Sequence, residues 1–130
     1  YPGAAVYVSD LRLIVREQIR WLEQAVNAAR KLGNKGSEGN HLGNLGLAYA
    51  ALGEVRQAIG FYEQHLAIAR EIGDRRGEGN ALANMGLAYK ELDDMDRAKE
   101  LWRAALVIYE ALEDPNVERV RGWLKALEHE

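Results

Sequence analysis

The chain has 130 residues, 48% of them apolar and 28% charged, with a formal net charge of −3 and a pI near 5.7. That composition excludes a disordered tail and suits one domain with a core of its own. The acidic balance argues against nucleic acid as the main partner, and the absence of cysteine excludes a disulfide framework and cysteine-ligated zinc.

No apolar run approaches the ~20 residues of a membrane-spanning helix, so no membrane partner is expected and a cytoplasmic location is. The sequence begins with Tyr1 rather than Met and is expected to be a piece of a longer chain. Residues 1–9 carry no basic leader and no long apolar stretch; they are expected to form an N-terminal extended segment. Proline occurs only at Pro2 and Pro115. Between them Ala, Leu, Glu and Arg dominate, so the fold class is expected to be all-α.

A first amphipathic helix is predicted over Asp10–Leu32, with Ser9 or Asp10 as its cap. Leu11, Ile14, Ile19, Leu22, Val26 and Ala29 fall near one face. Gly33 then suits a helix end that needs positive φ, and Asn34 suits the N-cap of the next helix. That helix runs from about Lys35 to Leu52, and a second follows from about Arg56 to Ile72 after the turn "GEV". Gly73 and Asp74 repeat the joint. Further helices are predicted over Arg75–Leu92 and Asp96–Leu112, separated by "DDMD". At the third joint Glu113 replaces the glycine, Asp114 is the cap and Pro115 takes the first helical position. A last helix, Val117–Leu127, has Val120, Trp123, Leu124 and Leu127 at core spacing.

The chain repeats with a period of forty. Between residues 36–75 and 76–115, fourteen of forty positions are identical. They include Asn40/Asn80, Asn44/Asn84, Gly46/Gly86, Leu47/Leu87 and Tyr49/Tyr89. The same shift aligns Trp21–Asn34 with Phe61–Asp74 and Leu101–Asp114. The segments are therefore 10–34, the second helix of an incomplete repeat; 35–74 and 75–114, two whole units; and 115–130, a C-terminal capping helix. A solenoid needs such a cap, because its last unit otherwise exposes a stacking face.

On the first helix of each unit, Leu45, Gly46, Ala48 and Tyr49 match Met85, Gly86, Ala88 and Tyr89. On the second, Ala58 and Tyr62 match Ala98 and Trp102. This pattern resembles the tetratricopeptide repeat, in the long-helix variety found in kinesin light chains and spindle-orientation adaptors; the usual period is ~34. The resemblance implies antiparallel helix pairs, about six helices in all, wound into a right-handed superhelical solenoid. It also implies a protein–protein interaction module whose first helices line a concave groove for an extended peptide or partner helix. The small residues support it physically: Gly46, Gly86 and the alanines allow close approach of the paired helix, and the aromatics fill between pairs. His65 departs from the pattern, where Ala25 and Ala105 keep a small residue; it is expected between helices with its polar tip at the edge.

On this resemblance the peptide-binding residues are Asn40, Asn44, Leu47, Asn80, Asn84, Leu87 and Lys90, with Gly43 and Ala83 as small neighbours that admit a backbone. An asparagine amide offers two donors and an acceptor, enough to hold a peptide without reading its side chains. For Asn44 and Asn84, a role in bridging helices stands equally open; for Asn40 and Asn80, a turn earlier, bridging is the favoured reading. Lys90 is the only cation at these positions, so a carboxylate clamp is not expected. An alternative to groove binding is self-assembly, with a homo-oligomer formed through the first long helix and an exposed Trp21, Leu13 or Ile14.

Catalysis and metal binding are not expected. The chain has no Thr or Cys, and its two serines, Ser9 and Ser37, lack a nucleophile context. His41, His65 and His129 do not have metal-motif spacing. "DDMD" lacks the glycine and terminal glutamate of a calcium loop and reads as a turn with a cap. No cofactor is implied.

Overall fold

The computed structural model describes the backbone of residues 2–128 and the side chains of residues 10–128; Tyr1, His129 and Glu130, at the ends of the expected extended and capping segments, lie outside the described residues. Six helices follow one another: α1 (Pro2–Leu32), α2 (Lys35–Ala51), α3 (Val55–Ile72), α4 (Arg75–Glu91), α5 (Met95–Ala111) and α6 (Asn116–Glu128). Among the described residues there is no strand. The expected extended segment is overturned over residues 2–9, because α1 is continuous from Pro2. Proline suits a first helical position, where its missing N–H would have no partner, and the alanines that follow favour helix. Ser9 and Asp10 sit inside the helix rather than capping it.

The joints form as their residues dictate. Gly33 and Gly73 take φ of 67° and 75°. The side chains of Asn34 and Asp74 accept hydrogen bonds from the amides of Ser37 and Gly77 at 3.1 and 2.9 Å, satisfying N–H groups that a helix start leaves open. At the third joint Glu113 holds φ at 53° without glycine, at a cost of about 1–2 kcal/mol. Asp114 accepts there from the Asn116 amide at 2.9 Å and from Arg76 Nε at 2.8 Å. Those contacts hold its carboxyl below the usual range, the Asn116 amide contributing most. In "DDMD", Asp94 caps α5 through the Arg97 amide at 3.1 Å.

Short turns make successive helices antiparallel. α2 pairs with α3 and α4 with α5; α1 packs on α2, α3 on α4 and α6 on α5. The core is continuous but has two centres. Ile19, Leu22 and Val26 of α1 meet Leu42, Leu45, Ala48 and Leu52 in one. Tyr62, Leu82, Met85, Trp102, Tyr109 and Val120 lead the other, and Tyr49 packs against both. The glycines at 46 and 86 are what let the pairs close. A Cβ at Gly46 would overlap the Tyr62 ring, and one at Gly86 would overlap the Trp102 indole.

A polar staple repeats with the same period. Arg30 Nε donates to Glu38 Oε2 at 3.0 Å, and Arg70 Nε to Glu78 Oε2 at 3.2 Å. Arg75 adds a second bond to Glu78 at 2.7 Å. Both carboxylates are buried residues, so each depends on its arginine to offset lost hydration. The staple ties the end of one unit to the first turn of the next.

Candidate functional site

α2 and α4 lie side by side and face a recess of about 500 Å³. Its wall includes Asn40, Asn44 and Leu47 from α2, and Asn80 and Asn84 from α4. These five line one recess. Leu87 is not with them; it joins Leu47 and Asn84 in an adjoining hollow of about 390 Å³. Lys90 is exposed and lines neither hollow. The cation of the recess is Arg119 of α6, stacked on Trp123 at 5.3 Å. His65, Tyr109 and Asn116 also line it. Sequence reasoning missed these four because none belongs to the repeated first-helix stripe. The one available signal was Arg119, which reads from sequence as a solvated charge.

The asparagines are not equivalent. Asn80 Oδ1 accepts a hydrogen bond from the Tyr109 hydroxyl at 2.6 Å, which fastens α4 to α5 while leaving the Asn80 amide N–H groups for other partners. Burial pushes the Tyr109 phenol up to about 12, so it stays a donor. The side chains of Asn40, Asn44 and Asn84 make no hydrogen bond among the described residues. Amide donors and one guanidinium thus dominate the wall, with no carboxylate among the lining side chains.

Gly43 and Ala83, the small neighbours expected to admit a peptide backbone, also line the recess. Both are buried against the paired helix. A Cβ on Gly43 would come within 2.7 Å of His65 Nδ1. Ala83 offers its carbonyl oxygen to Trp102 Nε1 at 3.1 Å. His65 itself is buried, and neither ring nitrogen has a hydrogen-bond partner among the described residues. Its nitrogens are enclosed rather than held at the edge. Burial lowers its pKa from the ordinary 6.5, although Asp74 pulls the other way.

Gly43 meets His65 in one unit, where the equivalent positions of the other carry Ala83 and Ala105, both buried. Gly43→Ala should cost about 1–3 kcal/mol by overpacking the imidazole. Adding His65→Ala should return most of it, with a coupling of about 1–2 kcal/mol in a double-mutant cycle of urea unfolding. The wild type should also weaken as pH falls. A depressed histidine pKa means that the unfolded chain takes up the proton first, so stability present above 6.5 is lost below it. Both variants lacking His65 should show a flatter profile. Simple additivity of the two substitutions would disprove the contact.

Among the described residues, no group of three His, Cys, Asp or Glu is placed to hold a metal ion. No described helix is long and apolar enough to cross a membrane.

Family models described as tetratricopeptide repeat match residues 19–71 and 79–116. No curated protein matches the sequence significantly. Solved structures do. The tetratricopeptide domain of Arabidopsis FLU is 22% identical over 76% of this chain and 87% of its own, with a TM-score of 0.68. BtubC (BKLC) from P. vanneervenii is 22% identical with a TM-score of 0.69, over 85% of this chain; the match spans 47% of BtubC. The N-terminal domain of stress-induced protein-1 from C. elegans is 17% identical over 88% of this chain and 97% of its own, with a TM-score of 0.62. Two family matches that fall on the forty-residue units, and a fold shared with these domains, make one assignment: the chain belongs to the tetratricopeptide-repeat family.

Proposed function

We propose that the chain holds an extended peptide or partner helix along α2 and α4, as a protein–protein interaction module without catalytic chemistry. Tetratricopeptide repeats generally mediate protein–protein interaction. The observation that supports this site is the recess where Asn40, Asn44, Asn80 and Asn84 converge with Leu47. Asn44 and Asn84 have side-chain amides with no hydrogen-bond partner among the described residues, on the wall of a hollow of about 500 Å³. Leu47 and Leu87, both substantially exposed, supply apolar contact beside them. Asn80 holds Tyr109 in place and lends its N–H groups. Lys90 lies at the far end of α4, where a longer ligand would pass it. An amide pair of this kind grips backbone carbonyls and N–H groups, so affinity depends modestly on peptide sequence.

The test is a peptide selected from a random library against the wild-type protein, then titrated into the Asn44→Ala, Asn84→Ala double variant. Losing two ligand hydrogen bonds should weaken it about tenfold, with the protein's mass in solution unchanged. Equal affinity for both proteins would remove these asparagines from the site.

A further inference from the structure

α1 presents an apolar stripe that is largely open among the described residues; Trp21 meets the His41 ring of α2 edge-on, with centroids 6.0 Å apart. Ile14, Trp21 and Leu32 are 54%, 64% and 82% exposed. With Gln18, Ala25 and Ala28 they recur three and four residues apart along one side of the helix, the spacing of a helix–helix seam. The shift of forty carries Trp21, Ala25 and Ala28 onto Phe61, His65 and Ile68 of α3. Those residues are covered by α2: Phe61 stacks on Tyr49 at 5.2 Å, His65 lies on Gly43, and Ile68 lies on Gly39. This face of α1 is therefore built to receive a helix.

Charge and shape select the occupant. Asp10, Glu17, Gln24 and Lys31 run beside the stripe at seven-residue intervals, all exposed. The row is acidic at its N-terminal end and basic at its C-terminal end. Two copies of α1 laid antiparallel bring acid to base; laid parallel, they bring like to like. In one antiparallel register large side chains also meet small ones. Trp21 then packs on the other copy's Ala25, Gln18 on its Ala28 and Ile14 on its Leu32, while Glu17 faces its Lys31. Glu17 already touches Arg20 at 2.9 Å, but that pair is largely exposed to solvent and weak.

We infer that the chain dimerises through antiparallel α1 helices in this register, a contact that borders the groove of α2 and α4, since Gln18 and Trp21 share a hollow of about 410 Å³ with Asn44 and Leu47. Sedimentation over a dilution series tests it. The wild type should form a concentration-dependent dimer, and Trp21→Glu should weaken it by at least about thirtyfold. Glu17→Lys and Lys31→Glu should each weaken it about tenfold, and the two together should restore it. Circular dichroism establishes that each variant is folded. A wild type that stays monomeric, a Trp21→Glu dimer, or a double reversal no better than the singles would each overturn the inference. So would a monomer that binds a synthetic peptide spanning Lys35–Ala51, since the stripe would then belong to a first helix of the repeat kind.

Discussion

Trp102→Ala should lower the unfolding free energy by about 3–5 kcal/mol, the range for deleting a buried large aromatic, and the melting temperature by roughly 10–20 °C. Trp102 is fully buried and joins three helices. Its indole lies on the bare backbone at Gly86 of α4. Its Nε1 donates to the Ala83 carbonyl at 3.1 Å, one turn earlier on the same helix. Its ring centroid is 5.2 Å from that of Trp123 on α6. Truncation therefore opens a cavity and loosens the capping helix together. Trp102→Phe separates the causes: it keeps a ring but removes the donor, and should cost only about 1–2 kcal/mol. Urea unfolding of both variants, followed by circular dichroism, reads the difference. If Trp102→Ala cost no more than Trp102→Phe, the indole's packing would not be what joins these helices.

The repeat was legible because it is written in local signals. Gly33, Gly73, Asn34 and Asp74 mark joints through chemistry that acts within a few residues, and the forty-residue identity marks the unit. Gly46 and Gly86 were legible as helix contacts because each recurs with an aromatic, Tyr62 or Trp102, on the paired helix. Gly43 was not. It lies near the asparagine stripe on a helical wheel, and only the angle at which α3 crosses α2 turns it inward onto His65. Glu38 and Glu78 show the same limit, since Arg30 and Arg70, which staple them, sit on the preceding helix. Arg119 reaches the recess, and Lys90 does not, because α6 packs on α5 and brings Arg119 to the wall at a position that no repeat spacing encodes. The start of α1 was not legible for another reason: residues 1–9 match no part of the forty-residue unit, although proline is at home in a first helical turn.

Gly46→Leu should destabilise the protein by about 3 kcal/mol or more, at the upper end for overpacking a core, while Gly60→Ala should stabilise it by about 0.5–1 kcal/mol. Both glycines lie inside helices, and both substitutions relieve the entropy that glycine forfeits on folding. Surroundings reverse the sign. A Cβ at Gly46 overlaps Cε1 of Tyr62 and lies 2.6 Å from its Cδ1 and 3.1 Å from its Cζ. Tyr62 is itself buried among the core residues of α4 and α5, so displacing its ring disturbs that packing. A side chain at 46 must wedge α2 from α3. At Gly60 no heavy atom lies within 4 Å of the added carbon, so the gain in helix propensity stands alone. Gly46→Ala with Tyr62→Leu, which copies the leucine at the equivalent Leu22, should recover much of the stability lost in Gly46→Ala. Unfolding free energies for these four variants decide the matter. Should Gly46→Leu melt with the wild type, close approach of α2 and α3 at Gly46 would not be what holds this helix pair together.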